Sequence, residues 1–338
     1  MLQASPTLAM GAALSRVGRN EVAPRVRQTL RGRDPVFQLE RADNQMRQII
    51  AGVAYERTDT PYAWDVRVHS LGHGHTEATI LPRYAWYESA PLSDLAKADH
   101  ALCEAGWSHI GGEWVPFSKS KREEEEDAAS NRLRATRRAR TKVRRLCKAK
   151  GLTTLLTLTY RENMIDRDRM LRDFDVFVKR VRRVIPGLEY VCAFERQKRG
   201  AWHAHIAVRK VLSHYSHAGK LVQSYALLRS MWRGVVGVDN GNIDVSRNRR
   251  VQRSSAKLAG YLSKYIGKTF DQADKHTNSY SASGRALPAA VVERVLGSSG
   301  LAFEALFDLL APELACSELF TSMIPGGGLY ACLAPPDR

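Results

Sequence analysis

The chain has 338 residues, 44% apolar and 26% charged, which is too apolar for wholesale disorder and long enough for two domains with a proper core. Lysine and arginine total 52 against 35 acidic residues, and the resulting charge of +17 concentrates polyanions, nucleic acid first among them. Five cysteines (Cys103, Cys147, Cys192, Cys316, Cys332) are scattered without any C-x-x-C spacing, which argues against a zinc ribbon or a disulfide framework and suits a reducing compartment.

Leu8 to Leu14 is short and followed by Arg16 and Arg19, so no secretory leader is expected. No run approaches the ~20 apolar residues of a spanning helix, and a cytoplasmic protein without a membrane partner is expected. Residues 1–120 carry Trp64, Trp86, Trp107 and Trp114 among short mixed segments and read as an accessory region without an assigned role. His73-Gly74-His75 lies here; Gly at its centre disfavours a strand, so it reads as a loop. Residues 121–151 form a charged linker, five acids at Glu123 to Asp127 and then ten Lys or Arg without an acid from Arg132 to Lys150. Leu133, Thr136, Ala139, Val143, Leu146 and Cys147 recur at three and four, one apolar stripe on a cationic helix. Arg137, Arg138 and Arg144 are its candidate phosphate contacts, the alternative being a solvated face paired with the preceding acids.

From residue 152 to 270 the pattern is regular. Thr154 to Tyr160 reads as a strand, Arg167 to Ile185 as a helix, and Leu188 to Glu195 with Trp202 to Arg209 as a hairpin. A helix over Gly219 to Val236, a strand over Asn242 to Val245 and a helix from Ser254 or Ser255 to about Ile266 follow. This order predicts an α+β domain, a central antiparallel sheet with helices on it. Residues 271–338 form a tail without assigned chemistry, apolar around Leu301 to Leu310.

His203-Ala204-His205 sits on a strand, whose period of two puts both imidazoles on one face, about 6–7 Å apart. A hairpin centred near Arg199 sets Glu195 across from His203 on that face. Two imidazoles and a carboxylate leave coordination positions open for water and substrate oxygens, as in a catalytic divalent site, and Mg2+ or Mn2+ is the expected ion. The competing reading is a pair of satisfied core histidines.

On the last helix, Lys257, Tyr261, Lys264, Tyr265 and Lys268 fall within one arc, while Leu258, Ala259, Leu262 and Ile266 occupy the next. Phenol is a poor nucleophile at neutral pH, and Lys264 is placed to shield the charge that develops when it attacks. The alternative, core tyrosines with snorkelling lysines, is weakened by the separate apolar face the helix already has. An ion beside a tyrosine–lysine face describes phosphodiester transesterification, with Tyr261 attacking and Tyr265 available for a second transfer. Lys198 and Arg199 in the hairpin turn, with Lys257 and Lys268, are further candidate DNA contacts.

Leu156-Thr157-Leu158-Thr159, Trp202-His203-Ala204-His205-Ile206 and Tyr261-Leu262-Ser263-Lys264-Tyr265 together resemble, in order, the three motifs of the HUH endonuclease superfamily. The two-tyrosine form resembles the rolling-circle replication initiators of small single-stranded DNA phages and plasmids. Glu195 stands where such proteins often carry a third metal ligand, whereas Ala204 is smaller than the residue often found between the histidines. The resemblance implies nicking of single-stranded or supercoiled origin DNA, a 5′-phosphotyrosine intermediate, a 3′-OH that primes synthesis, and a cytoplasmic setting in a bacterial host. No G-x-x-x-x-G-K-[ST] is present, so a host helicase and polymerase are the expected partners. A transposase or relaxase of the same superfamily is the alternative within this chemistry. A non-catalytic basic DNA-binding module is the alternative outside it, and would carry Phe or Tyr where His203 and His205 stand.

Overall fold

A computed structural model describes residues 17–20, 45–50, 53–89, 93–110, 112–118, 120–209, 211–246, 255–272 and 280–336. The first elements are β1 (Val17–Asn20), β2 (Arg47–Ile50), β3 (Val53–Arg57), β4 (Ala63–Gly72), β5 (His75–Arg83), β6 (Trp86–Glu88), α1 (Asp94–Glu104), β7 (Trp107–Ile110), β8 (Glu113–Pro116) and α2 (Lys121–Ala149). The middle of the chain gives β9 (Thr154–Tyr160), α3 (Arg167–Val184), β10 (Tyr190–Arg196), β11 (Trp202–Val208), β12 (His214–His217), β13 (Lys220–Gln223), α4 (Ser224–Val236), β14 (Gly241–Ser246) and α5 (Ser255–Gln272). The chain closes with β15 (Tyr280–Ala282), β16 (Val291–Leu296), α6 (Ser299–Leu314), β17 (Glu318–Ile324) and β18 (Gly328–Ala334).

Five strands form the central sheet in the order β14-β9-β11-β10-β15, with every neighbouring pair antiparallel. Period two sorts its side chains: Leu156, Leu158, Cys192, Phe194, Ala204 and Ile206 meet α3 and α4 on one face. Leu155, Val191, Ala193 and Ala207 meet α2 and α5 on the other. Helices on both faces explain why these strands read as unbroken apolar runs rather than alternating ones. The α+β class holds, as three layers. Asp166 caps α3 by accepting from Arg169 N at 3.0 Å, and the helix buries Met170, Phe174, Phe177, Val178 and Val181. The fully buried Trp232 of α4 packs edge-on against Tyr160 and Phe177 and donates its indole N–H to Thr159 O at 3.0 Å.

The expected helix start at Gly219 is corrected: α4 begins at Ser224, after a β12–β13 hairpin. Ala218 and Gly219 both have positive φ (50° and 73°), as a tight two-residue hairpin turn requires. Helix α5, expected to end at about Ile266, continues to Gln272.

Helix α2 runs unbroken through its acidic and basic halves. Ser120 and Glu123 form a reciprocal capping box, and Glu123 and Glu124 lie at the positive end of the helix dipole. Val143, Leu146 and Cys147 are fully buried against the central sheet, whereas Leu133 is 52% exposed, so the apolar stripe is covered only in the C-terminal half.

Residues 1–120 and 271–338 share one flanking sheet, with the order β1-β16-β4-β5-β18-β17. Its face toward α6 packs Val66, Val68, Ala78, Ile80, Ala331 and Leu333 against Ala302, Ala305, Leu306 and Leu310. The loop reading of His73-Gly74-His75 is corrected in part: His73 (φ 53°) and Gly74 (φ 75°) make the β4–β5 turn, but His75 opens β5, is buried, and bonds Ser255 Oγ at 2.6 Å.

The other face of this sheet meets α2 at Glu77, which is fully buried and accepts from Arg144 Nε at 2.9 Å, Arg145 Nε at 2.9 Å and Lys148 Nζ at 2.8 Å. Burial would raise its carboxyl, but the hydrogen bonds and charges of Arg144 and Lys148 outweigh that and hold it far below the ordinary glutamate range. Arg144, an expected phosphate contact, has its guanidinium on Glu77 through both Nε and an Nη.

Candidate functional site: two histidines and two tyrosines

Strands β10 and β11 pair with Glu195 opposite His203 and Ala193 opposite His205. The odd positions of β11 face α5, so both imidazoles and the carboxylate point to the layer that carries the tyrosines. All three are buried, with exposures of 8% for Glu195, 8% for His203 and 6% for His205. The His205 Nε2–H donates to Glu195 Oε2 at 2.9 Å, since a carboxylate only accepts. Its Nδ1 then accepts from the Thr157 hydroxyl at 3.3 Å, Thr157 standing directly across the β9–β11 ladder. His203 Nδ1 bonds the Gln197 amide at 3.1 Å, and His203 Nε2 is buried without a hydrogen-bond partner. Burial, and next the neighbouring His205, lower the pKa of His203 and favour its neutral form.

Helix α5 docks through Leu258, Ala259, Leu262 and Ile266, which turns Tyr261 and Tyr265 toward the imidazoles. Tyr265 lies flat on His205, ring centroids 3.8 Å apart at 13°, and its hydroxyl donates to Tyr261 Oη at 2.5 Å. The two phenols meet edge-on at 5.1 Å and 78°, both packed partly against the core. Burial first, then the bond to Tyr261, push the Tyr265 phenol above its ordinary value. Tyr265 therefore keeps its proton near neutrality.

The histidine–carboxylate group and the tyrosine pair, 56 to 70 positions apart in sequence, are thus brought into one contact. Lys257 and Lys264 are exposed on α5, and Lys198 and Arg199 are exposed at the β10–β11 turn. Arg137 and Arg138 are exposed on α2, which packs beside α5 on the imidazole-bearing face of the sheet. The side chain of Lys268 lies outside the described residues. Sequence reasoning missed Thr157 and Gln197; the parity that put His205 and Thr157 on one face was the available signal.

Among the described residues, no group of three His, Cys, Asp or Glu side chains gathers as a bound ion requires: Glu195 accepts from His205, and the two imidazole centroids stand 6.5 Å apart. The donors nonetheless suit a divalent ion in kind. His203 Nε2 is an orphaned buried nitrogen, and each Nδ1 has a polar neighbour that can orient its ring, as the outer partners of metal-bound histidines do.

Residues 153–270 match a family model of replication-associated proteins, the ORF2 family. No curated protein and no solved structure matches the chain. The matched stretch runs from β9 into α5 and so contains every residue of the histidine–tyrosine contact; it supports a replication initiator, with DNA as the partner. Among the described residues, no helix is long and apolar enough to cross a membrane.

Proposed function

We propose that the chain starts rolling-circle replication by nicking and rejoining single-stranded origin DNA through a tyrosine nucleophile. The observation that carries this reading is the Tyr261–Tyr265–His205–Glu195 contact, which joins two phenols to an imidazole and a carboxylate, with the second imidazole, His203, on the same strand face. Tyr265 donates a hydrogen bond to Tyr261 Oη, so Tyr261 is the phenol whose oxygen is supported when it becomes an anion. Tyr261 Oη attacks the scissile phosphorus as the P–O3′ bond breaks. The phenolic proton ends on the departing 3′-oxygen, and the products are a 5′-phosphotyrosine and a 3′-OH. One phosphodiester replaces another, so the bond energy is kept for rejoining. Tyr265 can carry the second transfer.

His203, His205 and Glu195 would hold Mg2+ or Mn2+, which supplies Lewis-acid polarisation of the phosphate when bound. Lys257 and Lys264 hold DNA phosphates beside the phenols, and Lys198 and Arg199 hold them at the turn. A host helicase opens the duplex ahead of a host polymerase that extends the 3′-OH.

The test uses the full chain and labelled single-stranded oligonucleotides tiled across the DNA adjoining its own coding region, with Mg2+ or Mn2+. A protein–DNA adduct that survives denaturant, and that is lost in Tyr261→Phe/Tyr265→Phe, supports the reading. Binding without an adduct on any tile would leave a non-catalytic DNA-binding module in its place.

A further inference from the structure

The face of the flanking sheet turned away from α6 has a composition that the histidine–tyrosine site does not use. Strand parity puts Arg67 and Asp65 of β4, Glu77 of β5, Arg294 of β16, Phe320 and Ser322 of β17, and Tyr330 of β18 on this one face. Two buried carboxylates hold its cations in place. Asp65 is contacted by Arg83 at 2.7 Å, Arg294 at 2.9 Å and Arg67 at 3.7 Å, just as Glu77 is contacted by Arg144, Arg145 and Lys148. Among the described residues each carboxylate thus gathers three cations, and the face is electropositive.

Aromatic rings are set among these charges. The Arg144 guanidinium sits over the Tyr330 ring at 5.6 Å, and on the edge strand Phe320 is 56% exposed. A sheet edge is ordinarily protected by lysine, proline or a covering element; on β17 Glu318 supplies one charge at the strand's start, on the face of Phe320, and Leu319 to Ile324 contains neither charge nor proline. Helix α2 supplies a wall. Seven residues bring a helix almost back into register, so Arg137 and Arg138 continue the face of Arg144 and Arg145 about 10 Å further along the axis, and both are exposed.

We infer that this face is a second nucleic-acid site, a platform for single-stranded DNA on which Phe320 and Tyr330 stack bases and Arg137 and Arg138 take phosphates. Stacking aromatics among fixed cations match a flexible strand with exposed bases better than a duplex, whose bases are already stacked. The platform binds DNA whether or not the tyrosines cut it.

The experiment uses the full chain carrying Tyr261→Phe/Tyr265→Phe, so that no adduct forms, and measures fluorescence anisotropy with labelled oligo(dT) of about 20 nucleotides and with a hairpin duplex. Phe320→Ala is expected to weaken oligo(dT) binding about tenfold, to spare the duplex, and to leave the salt slope unchanged. Arg137→Ala/Arg138→Ala is expected to flatten the oligo(dT) slope of log K against log salt by about 1.4. Phe320 is exposed, so its replacement should leave the thermal unfolding midpoint in place. The proposal is overturned if Phe320→Ala binds oligo(dT) as its parent does, or weakens duplex binding equally. A changed oligomeric mass with unchanged DNA affinity would also overturn it and assign the edge to a second copy of the chain.

Discussion

Replacing Glu77 by Gln tests what joins the basic helix to the flanking sheet. Gln matches Glu in shape, so no cavity opens and the perturbation is electrostatic. It leaves Arg144, Arg145 and Lys148, whose side chains are 34%, 18% and 4% exposed, converging on a neutral amide. Breaking a buried ion pair by removing one partner costs about 3–5 kcal/mol, because the surviving charges stay desolvated and repel. Glu189→Gln is the control: it also contacts two cations, Lys150 at 3.1 Å and Arg209 at 2.7 Å, but is 32% exposed, and such a change costs about 0–1 kcal/mol. Circular dichroism during heating reads the difference. At about 2–4 °C per kcal/mol for a cooperative unit of 150–250 residues, Glu77→Gln should lower Tm by roughly 6–20 °C and Glu189→Gln by at most a few degrees. The sign with pH follows. A carboxyl held below its unfolded value of 4.5 contributes fully above about pH 4.5 and loses that contribution as acid protonates it. The parent and Glu77→Gln should therefore converge in stability as the pH falls below that value. Equal Tm values for Glu77→Gln and Glu189→Gln would refute the reasoning.

Tyr261→Phe should abolish the first cut and Tyr265→Phe should impair rejoining more, as read by adduct formation and ligated product; identical behaviour would remove the division of roles. Thr157→Val deletes the hydroxyl facing His205 Nδ1 and should weaken Mn2+ binding about tenfold or more by titration calorimetry, with unchanged affinity counting against an orienting role. Burial, then a neighbouring positive charge (Arg145 for His69, Lys148 for His75), lowers both histidines to about 4. The unfolded chain binds their protons more readily between about pH 6.5 and 4, so their stabilisation is present above pH 6.5 and lost on acidification. His75→Gln should make urea stability between pH 7 and pH 5 less steep than in the parent, and an unchanged profile would discount His75.

Much of the central domain was legible from the chain alone. Period two put His203, His205 and Glu195 on one face, and period 3.6 separated Tyr261 and Tyr265 from the stripe that packs α5; both follow from local backbone geometry. Strand ends in this domain shifted by a residue or two, and its β12–β13 hairpin before α4 was misread, because Ala218-Gly219 lacks the Asn-Gly or Asp-Gly signature of a tight turn.

The tertiary structure decided what depends on partners distant in sequence. No local signal in residues 1–120 or 271–338 shows that they share a sheet, since strand pairing is fixed by burial and register across the whole chain. Arg137 and Arg144 occupy the same face of one helix and read alike, yet one is exposed and the other grips a carboxylate 67 positions earlier in the chain. The stacking of Tyr265 on His205 likewise depended on how α5 settles against the sheet, a packing outcome that periodicity permits but does not fix.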